Sequence, residues 1–146
     1  MAVGIRKCFD TVANLVVTNS AALITTGLTA AIAVNQRMKI KVYIPFSVGA
    51  TGGVRVQIVT PAGIVVFTMF IQLNNTVAPA VTVAQQVASA AFTNALANAG
   101  NHCLELEGEI TCGATGGNID VQIAQNTADA LSLTVLRGAW MEVTTL

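Results

Sequence analysis

The sequence is short of charged residues. Asp, Glu, Lys and Arg make up 10% of its 146 residues, whereas proteins average about 25%. None of the four occurs between Asp10 and Arg37, or between Arg55 and Glu105. Either the exterior is unusually rich in Thr, Asn and Gln, or much of it is buried against other copies. The abundance of Val, Ile, Leu and Ala favours the second explanation, so we expect a homo-oligomer.

The chain also lacks a net charge and a long apolar run. Its seven basic and seven acidic residues cancel, so no overall electrostatic attraction to nucleic acid or to an anionic membrane is expected. No uninterrupted apolar run reaches the 18 or so residues that indicate a membrane-spanning helix. We therefore expect neither nucleic acid nor a membrane as a partner. The length suits one domain with a core of its own.

Residues that carry out chemistry are scarce. His102 is the one histidine, and the cysteines are Cys8, Cys103 and Cys112. A catalytic triad would have to use His102, and a structural zinc site commonly needs four Cys or His ligands. An odd cysteine count argues against a disulfide framework, and free thiols are typical of a reducing cytosol. We expect no enzyme, no cofactor and no metal.

What the chain has in quantity is period-two alternation. Apolar and polar residues alternate over 38–46, 54–58, 103–112 and 119–123, which is typical of strands with one buried face. The pattern predicts an all-β protein, an antiparallel two-sheet β-sandwich. We expect a single domain over residues 12–146, preceded by an N-terminal arm at residues 1–11.

The Ala-rich segment 84–99 leaves two alternatives open. Its apolar residues have a helix-like spacing, and Gly100 would suit a helix end. The other alternative is a strand around residues 90–96.

A five-residue motif, GATGG, occurs at 49–53 and again at 113–117. Each copy follows an alternating strand and precedes one that contains Val-Gln-Ile. A glycine-rich connection between two such runs predicts a β-hairpin, so we expect two similar hairpins. A nucleotide-binding loop is excluded, because the phosphate-binding glycine patterns are absent and a strand follows where a helix would be needed.

Residues 64–73 are apolar on both faces of the expected strand. In a two-sheet sandwich only one face of each sheet meets the core, so the second face needs another cover. We expect a neighbouring subunit there, with the N-terminal arm as a reaching element. The predicted interface residues are Val65, Phe67, Met69, Ile71, Arg6 and Lys7.

Two further features have alternative interpretations. Glu105, Glu107 and Glu109 line one strand face; they could act as an acid–base pair, or bind a cation together with Asp120. The structural alternative is a solvated face, or pairing with Lys39, Lys41 and Arg55. Trp140 is expected to pack in the core or at an interface, and a platform for stacking a sugar is the alternative.

The chain contains LELEG at 104–108, GATGG at 113–117, VQIAQNT at 121–127, LTVLRGAW at 133–140 and VTTL at 143–146. With a looser match over 27–60, these motifs resemble the jelly-roll-like β-sandwich domain of tailed-bacteriophage virion structural proteins, of the capsid decoration, head-fibre or tail-fibre type. The resemblance implies a jelly-roll-like sandwich, often trimeric, displayed on a capsid or fibre. It implies no catalytic residue.

The function expected from these features is that of a phage capsid decoration (cement) protein. Such a protein is made in the host cytoplasm, oligomerises and binds the major capsid protein on the outer surface of the virion. The alternative is a fibre or spike tip that binds a host receptor. A small hydrolase is disfavoured by the lack of a paired nucleophile and base.

Overall fold

A computed structural model describes residues 6–11, 13–75, 80–86, 90–94 and 99–146. That part of the chain forms strands and no helix, so it holds no helix long and apolar enough to cross a membrane. The strands are β1 (Arg6–Asp10), β2 (Leu15–Val17), β3 (Ile24–Ile32), β4 (Arg37–Val48), β5 (Val54–Val59), β6 (Ile64–Asn75), β7 (Ala80–Gln86), β8 (Phe92–Asn94), β9 (Gly100–Cys112), β10 (Gly117–Ala124), β11 (Leu133–Val135) and β12 (Trp140–Thr145).

The strands form two antiparallel sheets. The larger sheet has the order β1–β12–β4–β9–β6–β7, with β11 and β2 added beside the end of β4. The smaller sheet has the order β3–β10–β5–β8. The predicted antiparallel β-sandwich is confirmed. Over the described residues of 84–99 there is no helix, so that alternative is wrong there: β7 ends in this segment, and β8 lies within the alternative strand. Residues 87–89 and 95–98 lie outside the described residues.

The strand pairing is nested. β1 pairs with β12, β3 with β10, β4 with β9, and β5 with β8. The first strand thus meets the last, and successive pairs lie inside one another, as in a long hairpin rolled into two layers. This is the jelly-roll arrangement. Strands β6 and β7 are a hairpin inserted between β5 and β8, and they extend the larger sheet beyond β9.

The N-terminal segment differs from the expected arm. Arg6–Asp10 form β1, an edge strand paired along its whole length with β12. The register runs from Arg6 opposite Thr144 to Asp10 opposite Trp140. The expected boundary at residue 11 is therefore wrong for this strand, because it belongs to the larger sheet. Residues 1–5 lie outside the described residues.

The two GATGG copies connect the sheets. β4 and β9 lie in the larger sheet, whereas β5 and β10 lie in the smaller one, so the hairpin prediction is wrong. The strands that follow the turns pair with each other, and Gln57 stands opposite Gln122 within the two Val-Gln-Ile segments. β4 and β9 are antiparallel, with Val42 opposite Leu106. The sequence repeat therefore marks a local two-fold axis, and the two turns lie at opposite ends of the sandwich.

Alternating side chains of both sheets fill one core. Burial of these apolar side chains is the main favourable contribution to folding. Residue 108 shows how closely the strands approach: a Cβ added to Gly108 would lie 1.9 Å from the carbonyl oxygen of Thr68 and 2.8 Å from Cα of Met69. The largest side chains that are fully buried include Phe46, Leu28, Ile32, Ile40, Ile44, Met69, Ile71, Leu73, Leu104, Leu106, Ile110 and Ile119.

Candidate interaction surface

The outer face of the larger sheet carries more than half of the chain's charged residues. Strand β4 presents a column of cations, and β9 presents a column of carboxylates beside it. Glu142 on β12 stands opposite Lys41 on the other side of β4. On β4, β9 and β12 the charged residues of this face are Arg37, Lys39, Lys41, Glu105, Glu107, Glu109 and Glu142. Asp10 of β1, opposite Trp140, lies on the same face, which therefore holds at least eight of the fourteen charged residues.

The two columns pair across the sheet. Lys39 Nζ lies 2.7 Å from Glu107 Oε1, and Lys41 Nζ lies 3.5 Å from Glu107 Oε2. Arg37 Nε donates to Glu109 Oε2 at 3.1 Å. The hydrogen bond from Lys39 lowers the pKa of Glu107, and the same contact raises the pKa of Lys39. Exposed pairs of this kind contribute little stability, but they keep the face soluble and help to set the register.

This pairing matches the structural interpretation of the glutamate row. Glu107 and Glu109 pair with cations of β4, as the structural interpretation expected for Lys39 and Lys41. The expected pairing with Arg55 is wrong, because Arg55 lies on β5 of the smaller sheet. Asp120 belongs to the smaller sheet, where it accepts hydrogen bonds from Thr25 at 2.6 Å and Thr29 at 2.9 Å. It therefore does not join the glutamates. Within the described residues, no group of three or more His, Cys, Asp or Glu residues could hold a metal ion.

Strand β6 exposes apolar side chains next to these charges. The register between β6 and β9 shifts at Ile64 and Val66, which leaves Val65 as an extra residue. Because of this bulge, consecutive residues face solvent: Val65 is 66% exposed and Val66 is 46% exposed. Phe70, further along the same face, is 51% exposed. On the second apolar face of β6, therefore, these three side chains remain about half exposed or more.

The predicted interface residues are thereby partly corrected. Phe67, Met69 and Ile71 are 6%, 0% and 1% exposed and belong to the core of the domain itself. They offer no surface to a partner, because the odd-numbered side chains of β6 from Phe67 to Leu73 point inward. Val65 is accessible. Arg6 and Lys7 lie on edge strand β1; their side chains are outside the described part of the structure.

A groove lies over β9 on the outer face, with β12 and β4 on one side and β6 on the other. It has a volume of about 360 Å³. Trp140 and Tyr43 stack at one side, with ring centroids 6.1 Å apart and planes at 22°, and Phe70 stands at the other side. Residues opposite one another across four strands, namely Trp140, Tyr43, Glu105 and Gln72, form one row. The polar lining is completed by Lys41 and Glu107.

The environment of Glu105 differs from that of the other two glutamates. It accepts a hydrogen bond from Asn74 Nδ2 at 3.2 Å, and the described ion pairs of this face use Glu107 and Glu109 instead. Burial raises the pKa of the Tyr43 phenol, and the neighbouring Cys103 and Glu105 raise it further. Trp140 is thus part of a stacked pair on the sheet surface and does not enter the core.

Loops at one end of the sandwich are organised by Gln125, a residue that sequence reasoning did not single out. Its side chain is completely buried. Its Oε1 accepts from the backbone amides of Ser20 and Asp129, both at 3.1 Å. Its Nε2 donates to the carbonyls of Asp129 at 3.1 Å and Leu131 at 2.7 Å. In the sequence, the feature that could have indicated this role is a Gln at the apolar end of a strand, in the motif AQNT.

The histidine and two of the cysteines lie along β9. His102 is 3% exposed and packs against Phe46, with ring centroids 5.5 Å apart. Cys103 is half-buried and Cys112 is buried, and both are free thiols. The Cys112 thiol donates to the carbonyl of Thr115 at 2.9 Å.

Comparisons with known proteins leave the family open. No protein-family model matches the chain, and no curated protein matches it. Among solved structures, a chain from the Gx strain of infectious bursal disease virus is 10% identical, with a TM-score of 0.25 over 97% of this chain and 36% of that chain. A chain from the Gt strain of the same virus is 13% identical, with a TM-score of 0.25 over 97% and 37%. The present chain thus spans little more than a third of either.

Proposed function

We propose that the protein is a virion structural protein, a bacteriophage capsid decoration protein that oligomerises and binds the outer surface of the shell. The observation that carries this proposal is the uneven surface of the larger sheet. Paired charges cover β4 and β9, whereas the inserted hairpin beside them exposes Val65, Val66 and Phe70. The motifs of the closing strands that resemble phage virion domains support the same function.

The edge of the sheet points to self-association. Strand β7 is an edge strand of the larger sheet, and its sequence, AVTVAQQ, contains no charge, proline or glycine. Natural proteins usually protect such an edge with charged residues, proline or a bulge, because its unpaired backbone groups can pair with another chain. A charge-free edge beside exposed apolar residues fits a surface that another copy covers. The trimer is proposed from the resemblance to phage virion domains.

Stabilisation of a shell would follow from many modest contacts. Burying an apolar side chain of this size contributes about 1.5–3 kcal/mol when it is complete. One subunit therefore gains little from three such side chains after the cost of association. An oligomer that engages several capsid subunits at once gains through its effective concentration. No turnover is involved in this function.

The self-association is tested by size-exclusion chromatography with light scattering. We expect a trimer for the unaltered chain and a monomer for Val66→Lys, because the substitution places a charge in the apolar surface. Val16→Lys is the matched control, since Val16 is 57% exposed on the short strand β2, away from the hairpin. A stable monomer for the unaltered chain would refute the interface.

Capsid binding is tested by mixing the purified protein with undecorated capsids of the phage that encodes it. Electron cryo-microscopy should show added density on the outer surface, and the capsids should resist heating better than before. Bare capsids combined with binding to host cells would instead favour the fibre or spike tip. The groove is the feature that supports that alternative, because a receptor-binding tip needs a recognition site.

A further inference from the structure

We propose that the groove on the outer face of the larger sheet is a saccharide-binding site. It is formed by Tyr43, Trp140, Phe70 and Glu105, together with Gln72, Lys41 and Glu107. The proposal goes beyond capsid decoration. The groove shares Phe70 with the apolar surface proposed for self-association, whereas Val65 and Val66 lie outside the groove.

The size and shape of the groove suit a small ring-shaped ligand. Its volume of about 360 Å³ lies at the small end of the range of ligand sites. Tyr43 on β4 and Phe70 on β6 flank strand β9, and neighbouring strands are about 4.8 Å apart. The two aromatic sides are therefore separated by about 10 Å. A sugar ring can lie over β9 with one of its C–H faces against an aromatic side chain.

The polar lining supplies partners for hydroxyl groups. Glu105 can accept hydrogen bonds from two adjacent hydroxyls, and such bonds to a carboxylate are stronger than neutral ones. It is available for this role because its described contact is the bond from Asn74, whereas Glu107 is already engaged by two lysines. The ammonium group of Lys41 and the amide of Gln72 add donors.

The charges in the groove decide between ligand classes. Carboxylates and an ammonium group line it together. A phosphate or another anion would meet Glu105 and Glu107, and an organic cation would meet Lys41. A neutral ligand with many hydroxyls can use both signs of charge without desolvating a like charge. An extended apolar peptide would leave these charged groups without hydrogen-bond partners, which disfavours it as a ligand.

The experiment uses Trp140, which is the one tryptophan of the chain, so its emission reports directly on the groove. The full-length protein is titrated with glucose, galactose, N-acetylglucosamine and a polysaccharide purified from the host surface. We expect a saturable change of tryptophan emission with at least one of them, with millimolar dissociation constants, about −4 kcal/mol, for single sugars. The backbone amides of β4 and β9 should shift in NMR spectra of the same samples.

Two variants of the same strand and the same chemistry test the assignment. Glu105→Gln should weaken binding by about tenfold or more, because a charge-assisted bond is lost. Glu109→Gln should leave binding unchanged, because Glu109 faces the same side of β9 outside the groove. Circular dichroism checks that both variants fold. The proposal is overturned if no probe changes the emission or the amide shifts, or if both variants weaken binding equally.

Discussion

Replacing Gln125 by methionine should be among the most damaging single changes to the described part of the chain. Methionine nearly matches glutamine in length, so the main loss is that of four hydrogen bonds to loop backbone atoms. Each such bond contributes about 1 kcal/mol, and a buried group left unpaired costs about 1–3 kcal/mol. Partial access of water to the loops offsets part of this. We expect the free energy of unfolding to fall by about 3–5 kcal/mol, a large share of the stability of a typical domain.

The measurement is equilibrium unfolding in urea, with the slope compared between variants to verify that the transition remains two-state. Hydrogen exchange should also become faster at the amides of Ser20 and Asp129, which lose their acceptor. Gln122→Met is the matched control, because Gln122 is half-buried on the smaller sheet and its side chain donates one bond, to Asp120. A loss below about 1 kcal/mol for Gln125→Met would contradict the role assigned to this residue.

Three further outcomes are expected. Gly108→Ala should cost about 1–3 kcal/mol in urea unfolding by forcing β9 and β6 apart, whereas Gly52→Ala, whose Cβ would make ordinary contacts, should cost little. The pKa of Glu107 is lowered in the folded state, so its stabilising effect is present above the unfolded pKa and is lost as pH falls through the folded pKa. On acidification, the melting temperature should therefore fall less for Glu107→Gln than for the unaltered protein. Mass mapping after brief alkylation should show Cys103 modified before Cys112; the reverse order would contradict their burial.

Local alternation predicted most of the strands, and long-range pairing accounts for what it missed. Each GATGG turn resembles a hairpin loop, but whether the next strand pairs with its predecessor or crosses to the other sheet depends on partners far along the chain. The Ala-rich segment has helix-like spacing, and tertiary pairing of β8 with β5 overrides it. Strand β1 lacks a clear pattern because it is a short edge strand, and its pairing with β12 defines it.

The candidate site could be predicted only in part, because it also depends on pairing between distant strands. The alternation of β9 placed its glutamates on one face, and that of β4 placed the lysines on one face, so their mutual pairing was foreseeable. To predict the groove, one would have to know the pairing register of the strands. Trp140, Tyr43, Glu105 and Gln72 come from four separate segments, and nothing in any one of them shows that they share a row. The bulge at Val65 changes which side chains at the start of β6 point inward. The alternation of apolar residues in the sequence gave no sign of this bulge.

The nested pairing has a consequence for how the chain reaches its folded state. Arg6 meets Thr144, so the larger sheet cannot be completed until β12 has left the ribosome. Before β9 to β12 have emerged, the apolar residues of β3, β4 and β5 lack their partner strands. Folds dominated by such distant contacts close in milliseconds to seconds, and their exposed strands invite aggregation. Truncation of the chain within β12 should therefore lower the yield of soluble protein.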